Sequence, residues 1–399
     1  METELNMNDI IEQRVALHCS LIGVGNAGNQ LLNVAFANGI DVFAVNTSAQ
    51  DMHSALISEQ IKSFIIGNEG RGAGKNRKTA LEFFKYNGKE LLTQVPSFIS
   101  MIDHSDVIFV AGSTGGGTGS AICPVLIRYL KQFYPNKIVI YIGILPKKTS
   151  AYKEQLNSMN CLAEIIDSDI KIPYILADLD YYSDLPNDVA YTEVQKYLID
   201  CIDVIRGKYI NKSPYGMMDE NDMRTVISEP GYLSIYNLSN VSQNQLDQKS
   251  MQSMMIDLIK NSPAAEITRN GLVKQMGAII NVPDDMKDAS RTSNYDELQS
   301  YIGKPFALFE NYAILPMATT GQMIIILAGQ TMPMNRIGDI NTAVNDAEKV
   351  YSKQKQFNLN DICNSKITND SSTQFFITDE EKDPVQKSSD LSNFLITFS

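Results

Sequence analysis

Residues 106–120, DVIFVAGSTGGGTGS, narrow the possible folds more than any other stretch of the chain. Val107 to Val110 form a short apolar run that suits a fully buried strand. It breaks directly into Gly115, Gly116, Gly117, Thr118, Gly119 and Ser120, and a second apolar run follows from Ala121 to Leu130. The order is strand, glycine loop, helix. Three successive glycines carry no Cβ and can take positive φ, so several backbone N–H groups can converge on one anion at a helix N-terminus, where the dipole also favours negative charge. The stretch is predicted to cradle a phosphate. A bare strand-to-helix turn needs only one or two such glycines.

Length and charge set the outer bounds. A chain of 399 residues has room for two domains and a tail. No apolar run approaches the ~20 residues that span a bilayer, and the start, METELNMNDIIEQR, is acidic rather than a basic signal region. A cytoplasmic protein with no membrane partner is expected. Five cysteines (Cys19, Cys123, Cys161, Cys201, Cys363) and three histidines are scattered without paired spacing, which suits reduced buried thiols and gives no directly assigned metal ligands. A net charge of −12 argues against a direct grip on nucleic acid, so any DNA role has to pass through a basic partner.

Ahead of the glycine stretch, residues 15–23 read as a first buried strand, followed by GNAGNQ (Gly25, Asn26, Ala27, Gly28, Asn29, Gln30) and a helical run. The spacing Gly23, Gly25, Gly28 satisfies the dinucleotide fingerprint. A dinucleotide site also wants an acidic residue closing the second strand. That strand, DVFAVNTSAQ, ends instead in Asn46 and Thr47, neutral donors suited to a magnesium-bound triphosphate or to simple strand capping. Residues 67–76, GNEGRGAGKN, form a polar glycine-rich loop bearing Arg71 and Lys75. It reads as a surface turn or as a loop for a charged ligand.

Ile138 to Leu145 is a further buried strand, and from Asn187 the spacing of Val194, Leu198, Cys201, Ile202 and Ile205 predicts a long buried helix. Asp219 and Asp222 then stand three apart at a helix start, where carboxylates are favourable either as caps or as functional groups. Residues 231–335 hold strand-like GAIINV, NYAILPM and QMIIILAG with helical runs at 247–260 and 284–300, and 336–356 reads as a closing helix. The polar tail, 357–399, is predicted to be mostly disordered, with aromatic ends, FFIT and FLITF, that could dock on a partner.

GGGTGS resembles the signature loop of the tubulin and FtsZ superfamily, with Ala121 where that family usually ends in glycine. GNAGNQ resembles the first nucleotide loop of tubulins, FAVNTSAQ the second loop of FtsZ, and the Arg71-bearing loop the FtsZ loop that closes over the γ-phosphate. PND at 186–188 resembles the FtsZ segment that reads guanine, and the stretch from Asp219 to Tyr232 its acidic catalytic loop. The motifs run in family order across roughly 15–345, and the departures, such as Ser150 and Glu154 at the family's ribose positions, look most like the plasmid and phage TubZ branch, with PhuZ-type phage tubulins near.

The resemblance implies an α/β fold: a Rossmann-like parallel-sheet GTPase domain (1–186), a central helix (187–209), an acidic catalytic loop and helix (210–230), a second α+β domain (231–335), a C-terminal helix and a tail. It implies GTP or GDP with Mg2+ bound by residues 25–30, Asn46, Thr47, Arg71, Gly72, Ala73, Gly74, Lys75, Asn76, the 115–120 loop, Asn187 and Asp188, with Tyr182 placed to stack on the base. Asp219 and Asp222 would act on the nucleotide of the next subunit in a head-to-tail filament. A basic DNA-binding adaptor is the expected partner, and plasmid or phage DNA segregation the expected role. An FtsZ-like division protein, a non-polymerising GTP-binding module and a dehydrogenase are the alternatives.

Overall fold

The computed structural model describes residues 17–356 apart from 68, 167–169, 214–216 and 291–294. The tail, its expected docking role and Cys363 lie outside the described residues. Strands β1 (Cys19–Val24), β2 (Asp41–Asn46), β3 (Lys62–Ile65), β4 (Val107–Ser113), β5 (Ile138–Leu145) and β6 (Pro173–Asp178) lie side by side in the order β3-β2-β1-β4-β5-β6. Each neighbouring pair is parallel. Parallel strands need crossover helices on both faces, so the central ones are apolar throughout. β1 and β6 are buried along their whole length and β4 nearly so.

Alternate residues of β4 feed two cores, as the pleat requires. Ile108 and Val110 pack on one face with residues of α2 (Arg77–Gln94), α3 (Thr118–Phe133) and α4 (Tyr152–Ile166). Val107, Phe109 and Ala111 pack on the other with α1 (Gly25–Ala37) and α5 (Asn187–Ile205), the long helix read from its apolar spacing. Cys19, Cys123, Cys161 and Cys201 are buried free thiols, and burial pushes Cys19 up to about 12 and Cys161 to about 11.

The sheet continues past β6. After α6 (Glu220–Ile227), β7 (Gly231–Val241) pairs with β6 through Pro173–Gly231 and Tyr174–Tyr232, and β10 (Gly321–Gln330) runs antiparallel to it. β8 (Gln275–Val282) and β9 (Ala307–Ile314) complete a ten-stranded sheet. β6 and β7 are strands that the sequence reading did not single out. Where a helical run was expected at 284–300, the described residues hold a turn at Asp284–Met286 and short helices at Lys287–Ser290 and Asp296–Ile302. The closing helix, α7, spans Met334–Gln356. Among the described residues no helix is long and apolar enough to cross a membrane.

Candidate nucleotide site

In an open parallel sheet the crevice lies beyond the carboxyl ends of the strands, where the strand order reverses. Here the reversal falls between β1 and β4. A cavity of about 1070 Å³ opens there, walled by Val24 at the end of β1, Asn46 at the end of β2 and Ser113 at the end of β4. Several helices begin at its wall, and α1, α3 and α5 do so without a side-chain cap. α1 starts after Val24, α3 after Gly117 and α5 after Pro186, each without a capping hydrogen bond. The helices starting at Ala49, Arg77 and Glu220 are capped by Ser48, Asn76 and Asp219. The first-turn N–H groups of α1 and α3, which have no acidic residue in that turn, are thus left for an anion in the cavity.

Two glycines fix the close approach of the loops. Gly25 has φ +71°, and a Cβ on it would stand 3.1 Å from the Gly119 nitrogen. A Cβ on Gly117 would stand 2.8 Å from the Cα of Lys75. The Arg71 loop therefore lies directly on the glycine loop. It is also zipped to the end of β2, because the Gly72 N–H donates to the Thr47 carbonyl (2.9 Å) and the Ala49 N–H to that of Gly70 (2.8 Å). Thr47 and Thr118 join their hydroxyls at 2.7 Å across the cavity floor.

The cavity brings together most of the residues that the sequence singled out: Gly25, Asn26, Ala27, Gln30, Asn46, Thr47, Arg71 to Lys75, Gly115 to Gly119, Asn187 and Asp188. Gly28, Asn29, Asn76, Ser120 and Tyr182 lie outside its lining. Gly28 packs helix on strand, with its Cβ position 2.4 Å from the Ala111 carbonyl oxygen. Asn29 is fully buried; its amide donates to the Gly23 carbonyl (2.8 Å) and its oxygen accepts from Asn46 Nδ2 (2.8 Å), bracing β1 against β2. Asn76 caps α2. Ser120 lies four residues before Pro124, which has no N–H for the Ser120 carbonyl; Arg77 Nη2 donates to that oxygen instead (3.1 Å). Tyr182 stacks edge-on against Tyr181 rather than over the cavity.

The ring that does line the cavity is Tyr191, one turn along α5 from Asn187. Burial raises its hydroxyl pKa, and a hydrogen bond to Ser113 offsets this only in part. The sequence carried a signal for it, since Tyr191 shares a helix face with Asn187 at i+4 and Asp188 at i+3. Ser150 and Glu154 also line the cavity, and Glu154 pairs with Lys75.

Asp219 and Asp222 are elsewhere. They form a reciprocal capping box on α6: Asp219 Oδ1 accepts from the Asp222 N–H (2.8 Å), and Asp222 Oδ2 from the Asp219 N–H (3.1 Å). Arg224 ties this helix to Asp106 at 2.7 Å, immediately before β4 begins. The cavity lies at the far tip of the same seven-residue strand, roughly 20 Å away. Cradle and carboxylates face opposite ends of the sheet.

Residues 18–174 match the family model described as Tubulin/FtsZ family, GTPase domain. The chain is 25% identical over 386 residues to the tubulin-like protein TubZ of Clostridium botulinum C phage, covering 93% of this chain and 95% of that one. The solved structure of Clostridium botulinum phage c-st TubZ, truncated at its C-terminal tail, superposes with TM-score 0.65 at 20% identity, over 84% of this chain and 99% of that one. CetZ2 from Haloferax volcanii, solved as a GTPγS-bound protofilament, also gives 0.65, at 18% identity over 83% of this chain and the whole of that one.

Proposed function

We propose, from the match of residues 18–174 to the tubulin/FtsZ family model of a GTPase domain, that this chain is a polymerising GTPase whose active site is completed by the next subunit in a head-to-tail filament. One observation carries the reading: the phosphate cradle lies at the carboxyl ends of the strands, and the paired carboxylates are anchored at the opposite end of β4. Neither can serve the other within one molecule. A contact that stacks the α6 end of one subunit on the cavity of another is heterologous, and it repeats without closing. That the CetZ2 neighbour was solved as a protofilament supports self-association.

Within the cavity, the uncapped starts of α1 and α3 and the glycine loop hold the phosphates, and Asp188 accepts from the N1–H and exocyclic amine of guanine, a donor pair that adenine lacks. Tyr191 supplies an apolar wall beside the base. Among the described residues no group of three His, Cys, Asp or Glu is placed to hold a metal ion. The hydroxyl pair Thr47 and Thr118 nevertheless fits Mg2+ that arrives with a triphosphate and keeps phosphate oxygens and waters as its other ligands. The ion would neutralise charge on the phosphates. Asp219 and Asp222 of the neighbouring subunit then orient and polarise the attacking water, so that assembly switches on hydrolysis by positioning and charge stabilisation.

The acidic chain suits a basic DNA-bound adaptor, and the resemblance to a phage TubZ supports DNA segregation or positioning in the cytoplasm as the work of the filament. The test is GTP turnover against protein concentration, with light scattering in parallel and ATP as control. A threshold concentration below which turnover and scattering both vanish is expected with GTP, and neither signal with ATP. Turnover strictly proportional to protein, without scattering, would leave a nucleotide-binding module and remove the filament.

A further inference from the structure

Three cationic side chains line the cavity, and each is already engaged. Arg71 pairs with Glu69 at 2.7 Å, and Lys147 Nζ donates to the Leu185 carbonyl at 2.9 Å. Lys75 pairs with Glu154. Glu154, unlike Glu69 and Leu185, is itself part of the cavity lining. Among the three carboxylates of the lining, Asp51, Glu154 and Asp188, it is Glu154 that holds a cation of the cavity.

α4 grips Lys75 twice. Glu154 takes its ammonium, and Asn157, three residues on and so on the same helix face, donates to its carbonyl at 3.0 Å. The same amide reaches the carbonyls of Gly115 (3.1 Å) and Gly116 (3.3 Å). Asn157 is 5% exposed, so these bonds are shielded from water. With those carbonyls turned back toward α4, the N–H groups of the glycine loop are left for the cavity. Lys75 itself sits at φ +60°, an uncommon conformation for a residue with a side chain, which persists where surrounding contacts over-determine it.

We propose that Glu154 is a resident anion, displaced from Lys75 by the terminal phosphate of a bound nucleoside triphosphate, and that this exchange sets the preference between triphosphate and diphosphate. The inference rests on the nucleotide reading above. Lys75 backs onto Gly117 of the cradle, so a further phosphate in the cradle competes with Glu154 for the same ammonium and repels its carboxylate. The side chains are 60% and 24% exposed, which makes the pair weak enough to open. A triphosphate therefore bears a cost that a diphosphate avoids, and released Glu154 turns to solvent while Asn157 keeps the loop seated.

The experiment is equilibrium binding of GTPγS and GDP to the full-length chain below its assembly concentration, for wild type, Glu154→Gln and Lys75→Gln. Glu154→Gln is expected to raise the ratio of GTPγS to GDP affinity about fivefold to tenfold. Lys75→Gln is expected to lower that ratio by a similar factor. Both nucleotides binding with an unchanged ratio in Glu154→Gln would overturn the exchange and leave the nucleotide site standing. If neither nucleotide binds the wild-type chain, the site reading falls and this inference falls with it.

Discussion

Asp106 shows how one side chain joins two parts of the molecule. It accepts from the His18 N–H at 2.9 Å and from Arg224 at 2.7 Å, holding β1, β4 and α6 at one point. Burial pushes its carboxyl up, but Arg224, the His18 N–H and Lys137 together outweigh this and hold it below the ordinary 3.8. A carboxyl that titrates lower folded than unfolded adds stability above the unfolded value, and the contribution is lost as pH falls through the folded one. Denaturant unfolding should therefore show a constant gap between wild type and Asp106→Asn from pH 7 to about 5, which narrows below 3.8. A gap that widened on acidification would contradict the assignment. The sequence displayed Asp106 only as the residue before an apolar run. Its partner lies 118 positions away, and nothing local announces such a pairing.

At the level of elements, the capping box makes a test of chemistry out of a test of stability. Asp222→Ala removes one arm of the box while Asp219 still caps the helix, so the expected stability loss is about 1 kcal/mol. If Asp222 acts on the next subunit's nucleotide, phosphate release from assembled protein should drop on the order of 100-fold with nucleotide affinity retained. Wild-type turnover in filaments of this variant would leave the pair as a helix cap and nothing more. Legibility followed the same division between local and distant causes. The β4–loop–α3 unit and α5 could be read because buried apolar runs, three glycines and a helical period are local patterns. β6 and β7 were passed over because their pairing depends on a distant partner, and PYILAD and GYLSIYNLSNV show no glycine loop or long period to mark them. Asn29 and Ser120 sit inside recognised motifs, yet they brace the loops from behind. A motif states which residues go together; which way each faces depends on packing, as with the Asn29–Asn46 bond and the Arg77 donation made possible by Pro124.

For the whole molecule, separation of cradle and carboxylates predicts complementation between two inactive variants. Gly117→Val drives a side chain into Lys75 and closes the cradle, whereas Asp222→Ala spares it. Each alone should turn over little GTP. An equal mixture that co-assembles at random should recover about a quarter of the wild-type junctions, those where an intact cradle meets an intact carboxylate pair. Phosphate release from the mixture no greater than the mean of its components would show that each molecule works alone.

β4, with its phosphate loop at one tip and Asp106 at the other, gives each subunit a direction. In the proposed filament every molecule brings one whole cradle and one whole carboxylate pair, but a row of n molecules has only n − 1 meetings between them. At one extremity a cradle opens on water with nothing opposite, and the nucleotide there is spared. The two tips of the polymer therefore differ in chemistry although their subunits are identical, and a growing filament keeps at one tip an uncleaved record of its last addition.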